Sequence, residues 1–219
     1  MSRHHIVLGE GADLTGFRNA VRWLIAADAP PEDVIWRTCE TAELFDSTAI
    51  GHAPPVPLPP AARDLIETVV CHRDAERYAL LYALVWRLRH GERELLEVAS
   101  DPLVHRLNVM RKAVEHDRHR MTAFVRFRRA DSTDSNERFV AWFEPDHYIL
   151  ESVAPFFVER FANLTWSILT PIGSLHWAGA TLEVGPPGQR SDLPAGDGFE
   201  AGWQGYYEST FNPARVNPK

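Results

Sequence analysis

The segment EHDRHRMTAFVRFRR, residues 115–129, contains a change in the period of the hydrophobic pattern, and this change decides the fold class. Before it, apolar side chains recur at alternating spacings of four and three residues, which is typical of the buried stripe of a helix. After Met121 the period becomes two, which is typical of a strand. The sequence therefore predicts a helix over about 101–121, with a stripe formed by Leu103, Leu107, Met110, Val114, Asp117 and Met121.

The strand that follows has a predicted partner further along the chain. In AFVRFRR, residues 123–129, one face is expected to carry Ala123, Val125 and Phe127, and the other face Phe124, Arg126 and Arg128. After a polar turn at 130–137, the segment RFVAWFEP alternates in the same way over residues 138–145. Two alternating runs joined by a polar turn predict an antiparallel hairpin.

Elements on the N-terminal side of this hairpin are mostly helical. A strand at 4–8 is followed by a helix with Asp13 as its N-cap and by a second strand at 34–40. Five prolines between Pro54 and Pro60 predict an extended connector, because proline does not fit a helix interior or a central strand. A helical block is predicted over about 61–121, with a buried central helix at 74–91 that ends at Gly91 and a short helix at 92–100.

Elements on the C-terminal side return to strands. We expect a short helix at 151–164, two or three strands between 165 and 185, and a final aromatic helix at 199–211. This order predicts the α+β class, with an antiparallel sheet and a packed helical block. We expect a single domain over residues 1–219, with the helical block inserted between sheet elements.

Composition excludes several classes of protein. Hydrophobic residues make up 45% of the chain and charged residues 24%, as in ordinary soluble domains. The two cysteines, Cys39 and Cys71, are far apart, which argues against a disulfide scaffold or a zinc ribbon. The N-terminus lacks the apolar core of a signal peptide, and no apolar run is long enough for a membrane span. We expect a cytoplasmic protein without membrane contact.

Positive charge is concentrated in one segment of an otherwise acidic chain. The formal net charge is -7, yet residues 105–129 contain eight Lys or Arg against two acids. Arginine and lysine provide most phosphate contacts in nucleic-acid complexes, and an aromatic side chain among them can stack on a base. The candidate nucleic-acid-binding residues are Arg111, Lys112, Arg118, Arg120, Arg126 and Arg128. The alternative is that these side chains pair with the acids of the same protein.

Asp117 is the one carboxylate in the predicted helix stripe, so it should have a specific partner. It either forms a structural ion pair or loop cap, or it organises a functional site. Candidate catalytic residues are Asp117, His119 and His147, with Glu144 as a further acid. No metal signature such as HExxH, no phosphate-binding glycine loop and no GxSxG motif is present, so we predict no metal and no cofactor.

Five long blocks of the chain carry a family resemblance. They are CHRDAERYALLYALVWRLRHGERELLEVASDP, VMRKAVEHDRHRMTAFVRFR, VAWFEPDHYIL, PFFVERFANLTWSILTP and YYESTFNPAR. In this order they resemble the bacterial "probable DNA metabolism protein" family, a domain of unknown function. Such domains occur alone beside a radical-SAM protein proposed to act in DNA modification or repair, or fused ahead of a UdgX-type uracil-DNA glycosylase. The family usually continues beyond FNPAR, so we expect the chain to be the N-terminal part of a longer fusion protein.

The resemblance implies an accessory DNA-binding domain in DNA repair that acts with a uracil-DNA glycosylase or a radical-SAM partner. It supplies no catalytic residue, and we do not expect the chain to be catalytic by itself. Two alternatives remain open. In the first, the chain is an enzyme that acts on nucleic acid through a His/Asp site, with or without a metal ion. In the second, it is a protein-docking module that uses the basic segment and the aromatic C-terminal helix.

Overall fold

The computed structural model describes residues 3–39, 51–130 and 137–193. The chain contains two compact units. The first unit comprises Met1–His119 and Asp146–Ile149, and the second comprises Arg120–Pro145 and Leu150–Lys219. Residues 131–136 of the predicted turn, the predicted aromatic helix at 199–211 and the segment YYESTFNPAR lie outside the described residues.

The first unit begins with a strand–helix–strand element. Strands β1 (His4–Leu8) and β2 (Val34–Thr38) pair in parallel, and helix α1 (Leu14–Ala26) connects them. Asp13 caps α1 as predicted, because its Oδ1 accepts a hydrogen bond from the backbone N–H of Gly16 at 2.7 Å. The core of this unit lies between this element and the helical block that follows.

Helices α2 (Pro60–Val69), α3 (Arg77–Arg89) and α4 (Pro102–Phe124) form the helical block. Helix α3 is the predicted buried central helix, and Gly91 follows its C-cap with the positive φ of 111° that favours glycine. The predicted helix at 92–100 is wrong: only a 3-10 turn forms, over Leu95–Glu97. Arg87 of α3 binds both Glu92 and Asp101, which fixes this connection as a tight loop.

Helix α4 confirms most of the predicted stripe, since Leu107, Met110, Val114, Asp117 and Met121 are all at most 1% exposed, whereas Leu103 is only partly buried. The predicted change to a strand after Met121 is wrong, because α4 continues to Phe124. The N–H of Val125 donates to the carbonyl of Met121 at 3.1 Å, so the helical bonding pattern extends past the predicted boundary. Because residues four apart share a helix face, Val125 lies on the same face as Met121, and both are buried.

The second unit contains a five-stranded sheet in the order β3–β4–β5–β6–β7. Its strands are Arg128–Ala130, Arg138–Trp142, Thr165–Thr170, Gly173–Ala178 and Leu182–Gly185. All neighbours pair antiparallel except β4 and β5, which are parallel because helix α5 (Leu150–Arg160) connects them. The α+β class and the β3–β4 antiparallel pair are thus confirmed.

One face of this sheet is buried. It carries Phe139, Ala141, Trp166, Ile168 and Leu175, each at most 2% exposed. Helix α5 packs against β6 and contributes Val153, Ala154 and Phe157 to the same core. In the described part of the chain, no helix is long and apolar enough to cross a membrane.

Candidate functional site

Asp117 holds a loop of the first unit through that loop's main chain. Its side chain is 1% exposed, and its Oδ2 accepts a hydrogen bond from the backbone N–H of His147 at 2.9 Å. The N–H of the next residue, Tyr148, donates to the carbonyl of Cys71 at 2.8 Å. Asp117 therefore has the specific partner that its burial requires, and this bond orders the 146–149 segment.

The imidazole of His147 packs on that of His72, with ring centroids 4.3 Å apart. Each Nδ1 accepts a backbone N–H, from Asp74 for His72 at 3.0 Å and from Arg73 for His147 at 3.3 Å. Burial, reinforced by the His147 charge, lowers the pKa of His72 to about 4. Burial also lowers the pKa of His147, although Asp117 and Asp146 oppose this. Both rings are therefore neutral near pH 7, each with its proton on Nε2.

The other acid–base candidates are His119, on helix α4, and Glu144, which follows strand β4. His119 is exposed, and two residues of separation from Asp117 put it on a different face of α4. Glu144 belongs to the second unit, where its Oε1 accepts a hydrogen bond from the indole N–H of Trp142 at 2.8 Å. Over residues 3–39, 51–130 and 137–193, no group of three or more His, Cys, Asp or Glu is placed to hold a metal ion.

The basic residues of α4 point in several directions. Arg111 pairs with Glu115 one turn later at 3.7 Å, and Arg118 lies with Nη2 3.5 Å from the Sγ of Cys71. Lys112 is exposed. At 100° per residue, Arg111 and Arg118 share one side of the helix, whereas Arg120 lies on nearly the opposite side. The helix alone does not collect these charges into one patch.

The remaining predicted arginines belong to the second unit. The guanidinium of Arg120 lies 5.7 Å from the centre of the Phe143 ring. Arg126 is exposed, and its Nη1 donates to the carbonyls of Ala123 and Val125 at 3.0 and 3.2 Å. Arg128 is half-buried and begins β3. Of the six candidates, Arg128 alone lies within the sheet.

The sheet face opposite the buried one is partly open to solvent, and we call it the open sheet face. The side chains on this face from β3 to β6 are exposed or half-buried, apart from the buried Ser174. They include Arg128, Arg138, Val140, Trp142, Thr165, Ser167, Leu169 and His176. The alternating pattern of 138–145 predicted correctly that Arg138, Val140 and Trp142 share a face.

Strand register places two arginines and an indole together on the open sheet face. Arg128 lies directly opposite Val140, so Arg138 and Trp142, two residues to either side of Val140, are its diagonal neighbours. Such diagonal pairs have Cβ atoms roughly 7–8 Å apart, which long side chains bridge easily. The hydrogen bond from Trp142 to Glu144 orients the indole. These three residues can contact one anionic, aromatic ligand together.

Sequence analysis missed Arg138 as a site residue. The residue carries the right charge, but its relation to Arg128 depends on the register of β3 and β4, which sequence alone does not determine. Arg129 lies between Arg128 and Ala130 on β3, so its side chain is directed to the other face of the sheet. It pairs with Glu137 at 3.0 Å. The charge of the open face therefore comes from alternate positions of the strand.

A family profile matches more than half of the chain. No curated protein matches the chain, and no solved structure matches it. The profile of a family described as a domain of unknown function, DUF4130, matches residues 75–219, which include α3, α4, α5 and the whole five-stranded sheet. The chain belongs to the DUF4130 family of domains of unknown function.

Proposed function

We propose that this chain is an accessory DNA-binding domain whose open sheet face holds single-stranded DNA. In this proposal it acts in DNA repair with a uracil-DNA glycosylase or a radical-SAM partner, as the family resemblance implies. The observation that carries the proposal is the placement of Arg128, Arg138 and Trp142 as diagonal neighbours on one partly open sheet face.

Each of these residues supplies one part of single-strand recognition. Arg128 and Arg138 match the geometry of phosphate oxygens, to which a guanidinium donates two hydrogen bonds at once. Trp142 offers an aromatic face for stacking on a base, which a duplex does not present because its bases are already stacked. Sheet surfaces that combine cations with aromatic rings suit unpaired strands for this reason.

The residues just before β3 include a further exposed aromatic side chain and a further exposed cation. Phe124 is 64% exposed, although large aromatic side chains usually avoid water, and Arg126 follows it in an exposed position. Both belong to the same unit as the sheet. They supply a second aromatic and a third cation next to Arg128 in the chain.

The overall acidity of the protein is compatible with this proposal. Charges further apart than roughly 8–10 Å are screened at physiological salt, so a local group of arginines acts on a bound phosphate independently of distant acids. The net charge of -7 opposes indiscriminate binding to duplex DNA. We therefore expect weak duplex binding and stronger single-strand binding.

The proposal is tested by fluorescence polarisation with a labelled single strand and the matching duplex. The Arg128→Ala, Arg138→Ala double variant should bind the single strand much more weakly than the wild-type protein. Arg129→Ala is the control, because it removes one positive charge from β3, as Arg128→Ala does, but on the other face. Equal binding by the double variant and the wild-type protein would refute the proposal.

A further inference from the structure

Two serines and a histidine form a continuous hydrogen-bonded chain on the open sheet face. The Oγ of Ser167 lies 2.8 Å from Nδ1 of His176, and Nε2 of His176 lies 2.9 Å from the Oγ of Ser174. The Oγ of Ser174 donates to the carbonyl oxygen of Pro186 at 2.9 Å. All three distances are those of ordinary hydrogen bonds.

The positions of the protons in this series of hydrogen bonds follow from the carbonyl oxygen of Pro186 at its end. A carbonyl oxygen only accepts, so the single hydroxyl proton of Ser174 points to Pro186. Ser174 must then accept from His176, and Nε2 carries the imidazole proton. When the imidazole carries this one proton, Nδ1 is an acceptor, and the hydroxyl of Ser167 donates to it. Ser167 therefore has a base in contact with its own proton.

The register of the strands places the three side chains of this hydrogen-bonded series next to one another. Ser167 of β5 is directly opposite His176 of β6, and Ser174 shares the face of His176 because it is two residues earlier. Gly185 of β7 lies opposite Ser174. A Cβ at Gly185 would lie 2.5 Å from the Oγ of Ser174 and 3.0 Å from Nε2 of His176, so only glycine leaves room for this contact.

These relations match the arrangement of an activated nucleophile: a hydroxyl, a base in hydrogen-bond contact with it, and a third group that orients the base. The orienting residue Ser174 is 2% exposed, whereas Ser167 and His176 are half-buried and reach the open sheet face. Arg128 lies in the same cross-strand row, two strands or roughly 10 Å from Ser167. That separation is between backbone positions, and the long side chain of Arg128 can cover much of it, so a phosphoryl group is the electrophile that suits this site.

We propose that Ser167 is a nucleophile towards activated phosphoryl esters, with His176 as its general base and Ser174 as a positioning residue. The Oγ of Ser167 attacks phosphorus while its proton moves to Nδ1 of His176. The Oγ–P bond forms, the bond from phosphorus to the leaving oxygen breaks, and that oxygen takes the proton from Nδ1. Water activated by His176 then releases the phosphoryl group and restores the serine. This activity goes beyond DNA binding and does not depend on it.

A fluorophosphonate probe tests the proposal on the whole chain without DNA, with fluoride as the leaving group. Intact-protein mass spectrometry should show a single adduct, and peptide mapping should place it on Ser167. Ser167→Ala should abolish it, and Thr165→Ala should not, because Thr165 lies on the same strand and face but opposite Ala178. No adduct on the wild-type protein, or an adduct on another residue, overturns the proposal.

Substitutions of His176, Ser174 and Gly185 distinguish a role in the labelling reaction from a role in stabilising the fold. His176→Gln should lower the labelling rate by about 100-fold or more, the usual contribution of a general base. Ser174→Ala and Gly185→Ala should also lower the rate at which the folded protein is labelled. If these two residues merely stabilise the fold, the variants will lower the labelled fraction and leave the rate unchanged. An unchanged rate in His176→Gln excludes the base and contradicts the proposal.

Discussion

Arg128 on β3 and Trp142 on β4 are diagonal neighbours on one face of the sheet of the second unit, because Arg128 pairs with Val140 and Trp142 lies two residues after Val140. The relationship joins a cation to an aromatic ring across two strands. It is the smallest part of the proposed DNA-binding face, and it gives Arg128 and Trp142 separable roles in phosphate contact and base stacking.

The stacking role predicts a difference between two substitutions of Trp142. Trp142→Ala removes the aromatic face and should weaken single-strand binding by roughly 1–3 kcal/mol, the usual contribution of one stacked base. Trp142→Phe keeps an aromatic ring but loses the hydrogen bond to Glu144, so it should retain most of the affinity. Dissociation constants from polarisation titrations check this, and equal losses in both variants would exclude stacking.

The buried position of Asp117 predicts a difference in stability between two other variants. Asp117→Asn keeps an oxygen that accepts the N–H of His147, whereas Asp117→Ala leaves that group without its partner. The alanine variant should therefore be less stable than the asparagine variant by roughly 1–3 kcal/mol in urea unfolding. Glu115→Ala is the control on the same helix, because its pair with Arg111 is exposed and should contribute little. Equal stability of the two Asp117 variants would contradict this role.

The contact between the rings of His72 and His147 predicts a loss of stability in acid. Burial lowers the pKa of both His72 and His147 in the folded protein below the ordinary value of 6.5, so the unfolded chain binds more protons. Their contribution is fully present above about pH 6.5 and is lost as the pH falls towards 4, the folded pKa of His72. Urea unfolding across this interval measures the loss.

A matched variant isolates His72 in that experiment. His72→Asn removes the titrating ring and keeps a side-chain acceptor for the N–H of Asp74. Its stability should depend less on pH between 6.5 and 4 than that of the wild-type protein. The same pH dependence in both proteins would mean that other groups cause the acid effect.

The hydrophobic periodicity predicted those elements whose buried side chains can be recognised within one continuous segment of sequence. Strand β1, the cap of α1 by Asp13 and the stripe of α4 all agree with the structure, since each follows from local pattern alone. The boundary between α4 and β3 was misplaced because a few residues fit both periods. Met121 and Val125, four apart, satisfy a helix, while Val125 and Phe127, two apart, satisfy a strand.

The functional candidates depend on contacts between residues that are distant in sequence, and the local sequence pattern carries no information about such contacts. Asp117 was recognised as a buried acid, but its partner is a backbone N–H from a loop far along the chain. Arg138 joined Arg128, and Ser167 joined His176, only through strand register. A shift of register by one residue would reverse the face of every side chain on a strand, so these pairs required the structure.

The salt dependence of single-strand binding tests the central proposal most directly. Each phosphate contact contributes about 0.7 to the slope of log affinity against log salt for a single strand. The Arg128→Ala, Arg138→Ala double variant should therefore have a slope shallower than that of the wild-type protein by about 1.4, whereas Arg129→Ala should leave the slope unchanged. If the double variant has the wild-type slope, the open sheet face does not contact the phosphates and the proposed function is wrong.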